Sequence, residues 1–212
     1  MMDYVIFERG DGMQFRPLDY GLLLKSFACP PPAAKLYKET IDGMDGDLDM
    51  SEWAGVIRYE DRTVEASFRD MDNQQYTQLL NFVHGRKMKI YHSSDLAHYF
   101  EGRCSEAETE TQRHVTDIGL RFVCAPYKRA CSETVISKKI TGSANIVLLS
   151  ARETVSPTFT ASAAATISDG AALYSIPAGT SVIPNLVITD TPKTITVSMT
   201  GTLTIKWRDG VL

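Results

Sequence analysis

Four aspartates fall within eight residues of the segment Thr40 to Glu52, TIDGMDGDLDMSE, where Asp42, Asp45, Asp47 and Asp49 offer hard oxygen ligands at short spacing. Calcium binding is the first chemistry such a spacing suggests. An EF-hand loop opening at Asp45 would place Asp47 and Asp49 at its third and fifth positions, but its sixth must be glycine to make the sharp turn. Met50 stands there, and opening at Asp42 puts Met44 at the third position. Paired carboxylates can also do acid and base work, yet glycosidases hold them across a cleft, which sequence neighbours do not establish. The segment reads as a Gly-Asp turn or exposed loop.

The other reactive side chains do not assemble into a motif. His84, His92, His98 and His114 make no HExxH and lie at no zinc spacing from a cysteine, so each reads as a surface or helix-end residue. Cys29, Cys104, Cys124 and Cys131 include no CxxC pair and are expected as buried free thiols. The chain lacks a GxSxG elbow, a GxxxxGK[ST] loop and a GxGxxG fingerprint, and Gly10-Asp11-Gly12 signals a turn. The expectation is a protein without catalytic activity, metal or organic cofactor, one that works through its surfaces.

The elements that would carry those surfaces are mostly strands. From Thr63 to Arg69, Val64, Ala66 and Phe68 alternate with polar residues, as in a strand with one buried face. Asp72 and Gln75 then form a capping-box pattern. Tyr76, Leu79, Leu80 and Val83 follow at helical spacing, and Gly85 suits a left-handed C-cap, which predicts a helix over Asn73–His84. Lys87–Tyr91, Tyr99–Glu108 and Val115–Val123 have strand character, with Ile118, Leu120, Phe122 and Cys124 on one face. The polar run SEAETETQRH at 105–114 is expected to hold the turn between the last two.

Composition changes at FVCAPYKRA, residues 122–130. Residues 1–130 carry 16 Lys+Arg and 21 Asp+Glu, whereas residues 131–212 carry 6 and 5 with 24 Ser and Thr. The shift predicts two domains, 1–130 and 131–212, in a mainly β chain whose first domain has one helix. In the second, Ile195, Val197, Met199, Leu203, Ile205 and Trp207 all hold odd positions, and Gly201 is expected to turn the chain into a hairpin. The segments NIVLL, PTFTA, ATISD, ALYSI and LVITD are further short strand candidates, a spacing typical of a sandwich or barrel. A net charge of −4 without a basic stripe argues against specific nucleic acid binding. No apolar run approaches the roughly 20 residues of a membrane span, and Met1-Met2-Asp3-Tyr4 lacks the features of a secretory signal, so folding in a cytoplasm is expected.

In order and spacing these pieces resemble the distal tail protein (Dit) family of long-tailed, siphovirus-type phages or prophages. The likeness lies in TIDGMDGDLDMS at 40–51, the strand and helix after it, KMKIYHSSDLAHYFEGR at 87–103, and FVCAPYKRA, where Phe122, Cys124, Pro126 and Tyr127 occupy places common at the end of the family's ring domain. ITVSMTGTLTIKWRDGVL at 195–212 looks like the last hairpin of the family's galectin-like β-sandwich. The resemblance implies an N-terminal domain that assembles as a homo-hexameric ring joining the major tail tube protein to tail-tip and tail-associated proteins. It implies a C-terminal galectin-like domain supporting receptor-binding or baseplate proteins, in a virion tail tip assembled in the host cytoplasm. It points to Gly43, Met44, Asp45, Gly46, Asp47, Leu48 and Trp53 as an assembly interface on an extended arm, with Trp53 and Val56 following directly. The competing readings are a carbohydrate-binding or adhesin-like module and a hydrolase built on Asp42–Glu52. Residues 131–212 contain no His and one Trp, which disfavours the sugar-binding set of a true lectin.

Overall fold

A computed structural model describes residues 3–52, 55–112 and 115–212. Within them the chain divides into two compact units, the first reaching to Lys128 and the second Arg129–Val211. The first contains β1 (Val5–Arg9), β2 (Gln14–Phe15), a 3-10 helix (Pro17–Tyr20), β3 (Leu23–Ala28), β4 (Lys38–Thr40), β5 (Asp47–Asp49), β6 (Arg62–Met71), α1 (Asn73–Val83), β7 (Lys87–His92), β8 (Asp95–Gln112) and β9 (Val115–Cys124). Seven of these strands form an antiparallel sheet in the order β2-β1-β7-β8-β9-β6-β3, and β4 and β5 form a separate ribbon.

Alternation decides which face of the sheet is dry. Phe7, Val64, Phe68, Ile90, Ile118, Leu120 and Phe122 are buried, and the Phe7 and Phe122 rings stack with centroids 5.5 Å apart. The helix adds Leu79 and Val83 to the same core, against β6 and β9. Its N-terminus is closed by the predicted capping box: the Gln75 N–H donates to Asp72, and the Asp72 N–H donates to the Gln75 side chain. It ends one residue earlier than expected, with His84 as the cap and Gly85 at φ +69°. Arg62 is buried. It donates to the carbonyls of Cys29, Pro30 and Pro126 and lies over the Phe100 ring, so one cation ties two loops to the sheet.

The polar run at 105–114 corrects the sequence reading, because Ser105–Gln112 is the outer part of β8 and pairs with β9 up to Gln112 opposite Val115. From Ser105 to Glu110 this half-strand has almost no buried face, Ala107 alone being partly covered. Its pattern looked like a turn because both sides are wet, and Glu106 and Thr109 pair across to Arg121 and Ile118.

The second unit follows from β10 (Lys128–Ala130) with β11 (Thr134–Leu148), β12 (Thr158–Ala161), β13 (Ala165–Ser168), β14 (Leu173–Ile176), β15 (Gly179–Val182), β16 (Lys193–Trp207) and β17 (Gly210–Val211). The sheet order is β14-β13-β16-β12-β15, with β11 paired along the whole length of β16. The opposite margin of β16 is shared by β13 at 196–198 and β12 at 203–206. Ile195, Val197, Met199, Leu203, Ile205 and Trp207 all enter one core with Leu148, Phe159 and Ile167.

Two expectations fail here. Gly201 does not turn the chain; it lies inside β16 opposite Ile140, at φ +152°. The odd-position register continues through it, and glycine is needed because a Cβ would sit 2.3 Å from the Ser162 Oγ. LVITD forms no strand, only an isolated bridge between Ile188 and Val155. Leu186 and Ile188 are buried without a ladder, and Pro184 and Pro192 remove donors on either side.

Candidate assembly surface

Between β3 and β6 the chain pairs with itself beyond the sheet. The Lys35 N–H donates to the Arg58 carbonyl, the Glu60 N–H to Ala33, and Ala34 bridges Tyr59. The chain then continues into β4 and β5, with Lys38 opposite Asp49, Glu39 opposite Leu48 and Thr40 opposite Asp47. Gly43 at φ +85° and Gly46 at φ +80° let the tip reverse, a backbone that L side chains adopt at a cost. Strand alternation puts Tyr37, Glu39, Leu48 and Met50 on one side of this arm and Lys38, Thr40, Asp47 and Asp49 on the other. Ile41 and Met44 follow at the tip.

Among the described residues the apolar side lies largely open. Tyr37 is 50% exposed, Leu48 40% and Met50 38%, with Ile41 and Met44 similarly open. A two-stranded ribbon alone is marginal in water and needs a packed face. At its stem a depression of about 300 Å³ is lined by Ala34, Leu36 and Ile57 together with Asp49, Ser51 and Glu52.

Asp47 and Asp49 are spent within the ribbon. Thr40 donates its hydroxyl to Asp47 at 2.9 Å, and the Ser51 N–H donates to Asp49 at 2.9 Å. Ser51 holds the Asp49 carboxyl below its ordinary value through hydrogen bonds from its side chain and backbone. Among the described residues no three His, Cys, Asp or Glu side chains converge as a metal site. Thus the arm gathers Gly43, Met44, Asp45, Gly46, Asp47 and Leu48 from the expected interface, while Trp53 lies outside the described residues.

The remaining candidates are structural. His84 caps the helix, its N–H donating to Leu80, and the His92 ring stacks on Phe27 at 4.4 Å. The His98 Nδ1 is 2.9 Å from Asp95, and His114 lies outside the described residues. Cys104 and Cys124 are buried, and burial pushes their thiols up, Cys124 to about 12, so neither offers a thiolate at neutral pH. Cys29 and Cys131, expected as buried, are exposed, because one precedes the Pro30–Pro32 run and the other sits in the bend after β10. On the wet face of the first sheet a depression of about 130 Å³ is lined by Glu65, Ser67, Glu106, Glu108 and Arg121, and Arg121 pairs with Glu65 and Glu106. In the second unit Trp207 is a core residue that donates Nε1–H to Asp209, Phe159 is buried, and Tyr174 packs on the core.

In sequence, no protein-family model and no curated protein matches the chain. Solved structures do match. The Dit protein of phage SPP1, described as a paradigm of the hub adsorption apparatus in phages infecting Gram-positive bacteria, aligns with a TM-score of 0.69 over 98% of this chain and 99% of its own, at 15% identity. The chain has a distal tail protein fold. A chain of the phage P2 baseplate, in its activated conformation with calcium, aligns with a TM-score of 0.55 at 7% identity over 100% and 99% of the two chains. The same baseplate with strontium gives 0.53 at 7% identity, with 98% of each chain covered. At these identities the Dit likeness resides in the course of the backbone through both units, and the arm's side chains must be argued from this chain alone.

Proposed function

We propose that this chain is a structural component of a phage tail, forming a homo-hexameric ring that joins the tail tube to the tail tip and scaffolds host-attachment proteins. The observation that carries this reading is a Dit-like fold followed over both units. Residues 1–130 are the ring-forming domain, and 131–212 a galectin-like sandwich that supports receptor-binding or baseplate proteins. The arm at 43–48, with Trp53, is the contact to a neighbouring subunit. The work is done by assembly, in the virion, without a catalytic group or cofactor. The carbohydrate-binding alternative calls for exposed aromatics on the sandwich; the exposed apolar residues of the second unit are Val135, Val147, Leu149, Leu173 and Val182, all aliphatic.

Mass in solution across a concentration series, with negative-stain images of the heaviest species, tests the ring. The expected result is a concentration-dependent hexamer with sixfold projections, and a monomer at every concentration would remove the reading. Limited proteolysis tests the two domains: a lasting β fragment starting near Cys131 is expected, and progressive loss from both ends would contradict the division.

A further inference from the structure

The first unit exposes a second apolar surface besides the arm. It belongs to the other end of the strand order, where Met13, Leu18 and Tyr20 surround the passage from β2 into the 3-10 helix; Met13 is 53% exposed and Tyr20 48%. This patch is held firmly. The Tyr20 ring stacks on buried Phe15 at 4.5 Å, Pro17 is buried at the start of the turn, and the Tyr20 carbonyl accepts from the Gln75 amide at 2.7 Å. Half-buried Arg16 lies over the Tyr4 ring at 4.9 Å, and among the described residues no carboxylate pairs with it. Asp19 is exposed on the same turn. On the arm, Glu39 is the charged residue on the side of Tyr37, Leu48 and Met50, and among the described residues no cation pairs with it.

We infer that the arm of one copy docks on the Met13–Leu18–Tyr20 patch of the next, with Glu39 meeting Arg16. The inference rests on the ring reading above and names the acceptor surface that reading leaves open. Two arms cannot serve each other, because residues 38–52 carry Glu39, Asp42, Asp45, Asp47, Asp49 and Glu52 against Lys38 alone, and like charges repel across a contact. Arm-to-arm pairing would also leave the Met13 patch bare. Joining unlike surfaces covers both, and such a head-to-tail contact propagates from copy to copy, giving a ring where its rotation closes.

Two variants of the full chain test this by mixing. Met13→Glu spoils the patch and keeps the arm; Leu48→Asp spoils the arm and keeps the patch. Each alone should run as a monomer with an unchanged thermal transition. Mixed, they retain one intact arm and one intact patch, and should yield a one-to-one dimer of twice the 23.5 kDa chain mass and nothing larger. Should Met13→Glu unfold, Leu18→Glu replaces it. Separately, Glu39→Arg and Arg16→Glu should each weaken self-association by about tenfold or more, and together restore it. If the wild type assembles but the mixture gives no dimer, the docking is wrong and the ring survives. A wild type that stays monomeric at every concentration removes the ring reading, and this contact with it.

Discussion

The arm from Tyr37 to Met50 and strand β16 share a two-residue alternation of apolar and polar side chains, yet their apolar faces meet different fates. In β16, Ile195, Val197, Leu203 and Ile205 are completely buried, because Phe159, Ile167, Leu186 and Ile188 join them in one core. In the arm, β5 has β4 alone for company, and Tyr37, Leu48 and Met50 remain more than a third exposed. Burial of a large apolar side chain contributes about 1.5–3 kcal/mol. That stabilisation is realised within the chain for β16 and becomes available to the arm only on association. Alternation therefore specifies that a face exists, and whether other segments pack over that face determines whether the chain covers it itself.

Truncations on the two ribbons give the sharpest contrast. Leu203→Ala and Ile205→Ala should each destabilise the second unit by about 2–5 kcal/mol, the range for emptying a closed core. Leu48→Ala should change the denaturant midpoint by less than about 0.5 kcal/mol while weakening self-association, and deleting residues 43–50 should behave alike. Equilibrium unfolding and light scattering on the same samples separate the two effects. An arm truncation that lowered stability as far as Ile205→Ala would mean that the ribbon already packs on its own chain.

Glycine substitutions probe the same contrast at the backbone. Gly201→Ala meets both an unfavourable φ of +152° and the Ser162 Oγ 2.3 Å from the new Cβ, and should cost about 1–3 kcal/mol. Adding Ser162→Ala removes the obstructing atom and should recover part of the loss. A Cβ at Gly43 meets nothing within 4 Å, so Gly43→Ala should strain only the arm's tip and leave the global transition in place. Equal losses at the two glycines would show that φ alone matters and that the close approach in β16 is unimportant.

What the sequence disclosed follows the same physics. The helix was legible because Asp72, Gln75, Leu79, Val83 and Gly85 each satisfy a local rule, and β6, β9 and β16 because their alternation ends in one buried face. The outer half of β8 was not legible, since a strand wet on both sides has no period to detect. The first half of β11 was hidden by Lys138, which interrupts Ile136 and Ile140 and extends its Nζ to the Asn145 carbonyl at 3.3 Å, a charge on an outer strand. At the candidate site, glycines and aspartates announced the turn. The resemblance pointed to Met44 and Leu48, but the grouping of Tyr37, Leu48 and Met50 on one side of the arm and the Met13 patch did not appear, because the β4–β5 register and the stacking of Tyr20 on Phe15 come from pairing that the sequence does not display.

Acid titration should distinguish carboxylates anchored in the second unit from those on the arm. Asp169 accepts from the Ala172 and Ala171 N–H groups and pairs with Lys193 at 3.0 Å, which lowers its carboxyl to about 2. Its ordinary value is about 3.9. A carboxyl depressed on folding stabilises the fold fully above its unfolded pKa and loses that contribution as pH falls through the folded one, here between about 4 and 2. Asp169→Asn should therefore lower the unfolding midpoint at pH 6 and flatten its decline below pH 4. Asp49, also lowered but set in the exposed arm, should leave the global midpoint unmoved when changed to Asn. A flat acid limb in the wild type would detach Asp169 from the stability of the second unit.

The smallest expected effect is at the aspartates that first suggested calcium. A tight site needs six to eight oxygens converging at about 2.3–2.6 Å, supplied by a loop that wraps the ion. Here Asp47 and Asp49 lie two apart on an extended strand, with Asp47 accepting from Thr40 and Asp49 from Ser51, while Met50 holds the position that a calcium loop reserves for glycine. Extended backbone spreads these carboxylates along the polar side of the ribbon, away from a common centre. Any ligand that binds only the folded chain raises the transition temperature by mass action, so titration with calcium reads out binding without an assay of activity. The expected shift is zero at micromolar calcium, in the wild type and in Asp47→Ala alike. A rise abolished by Asp47→Ala would show that the arm closes around the ion, and the comparison with β16 would then be between a covered face and a metal-ordered one.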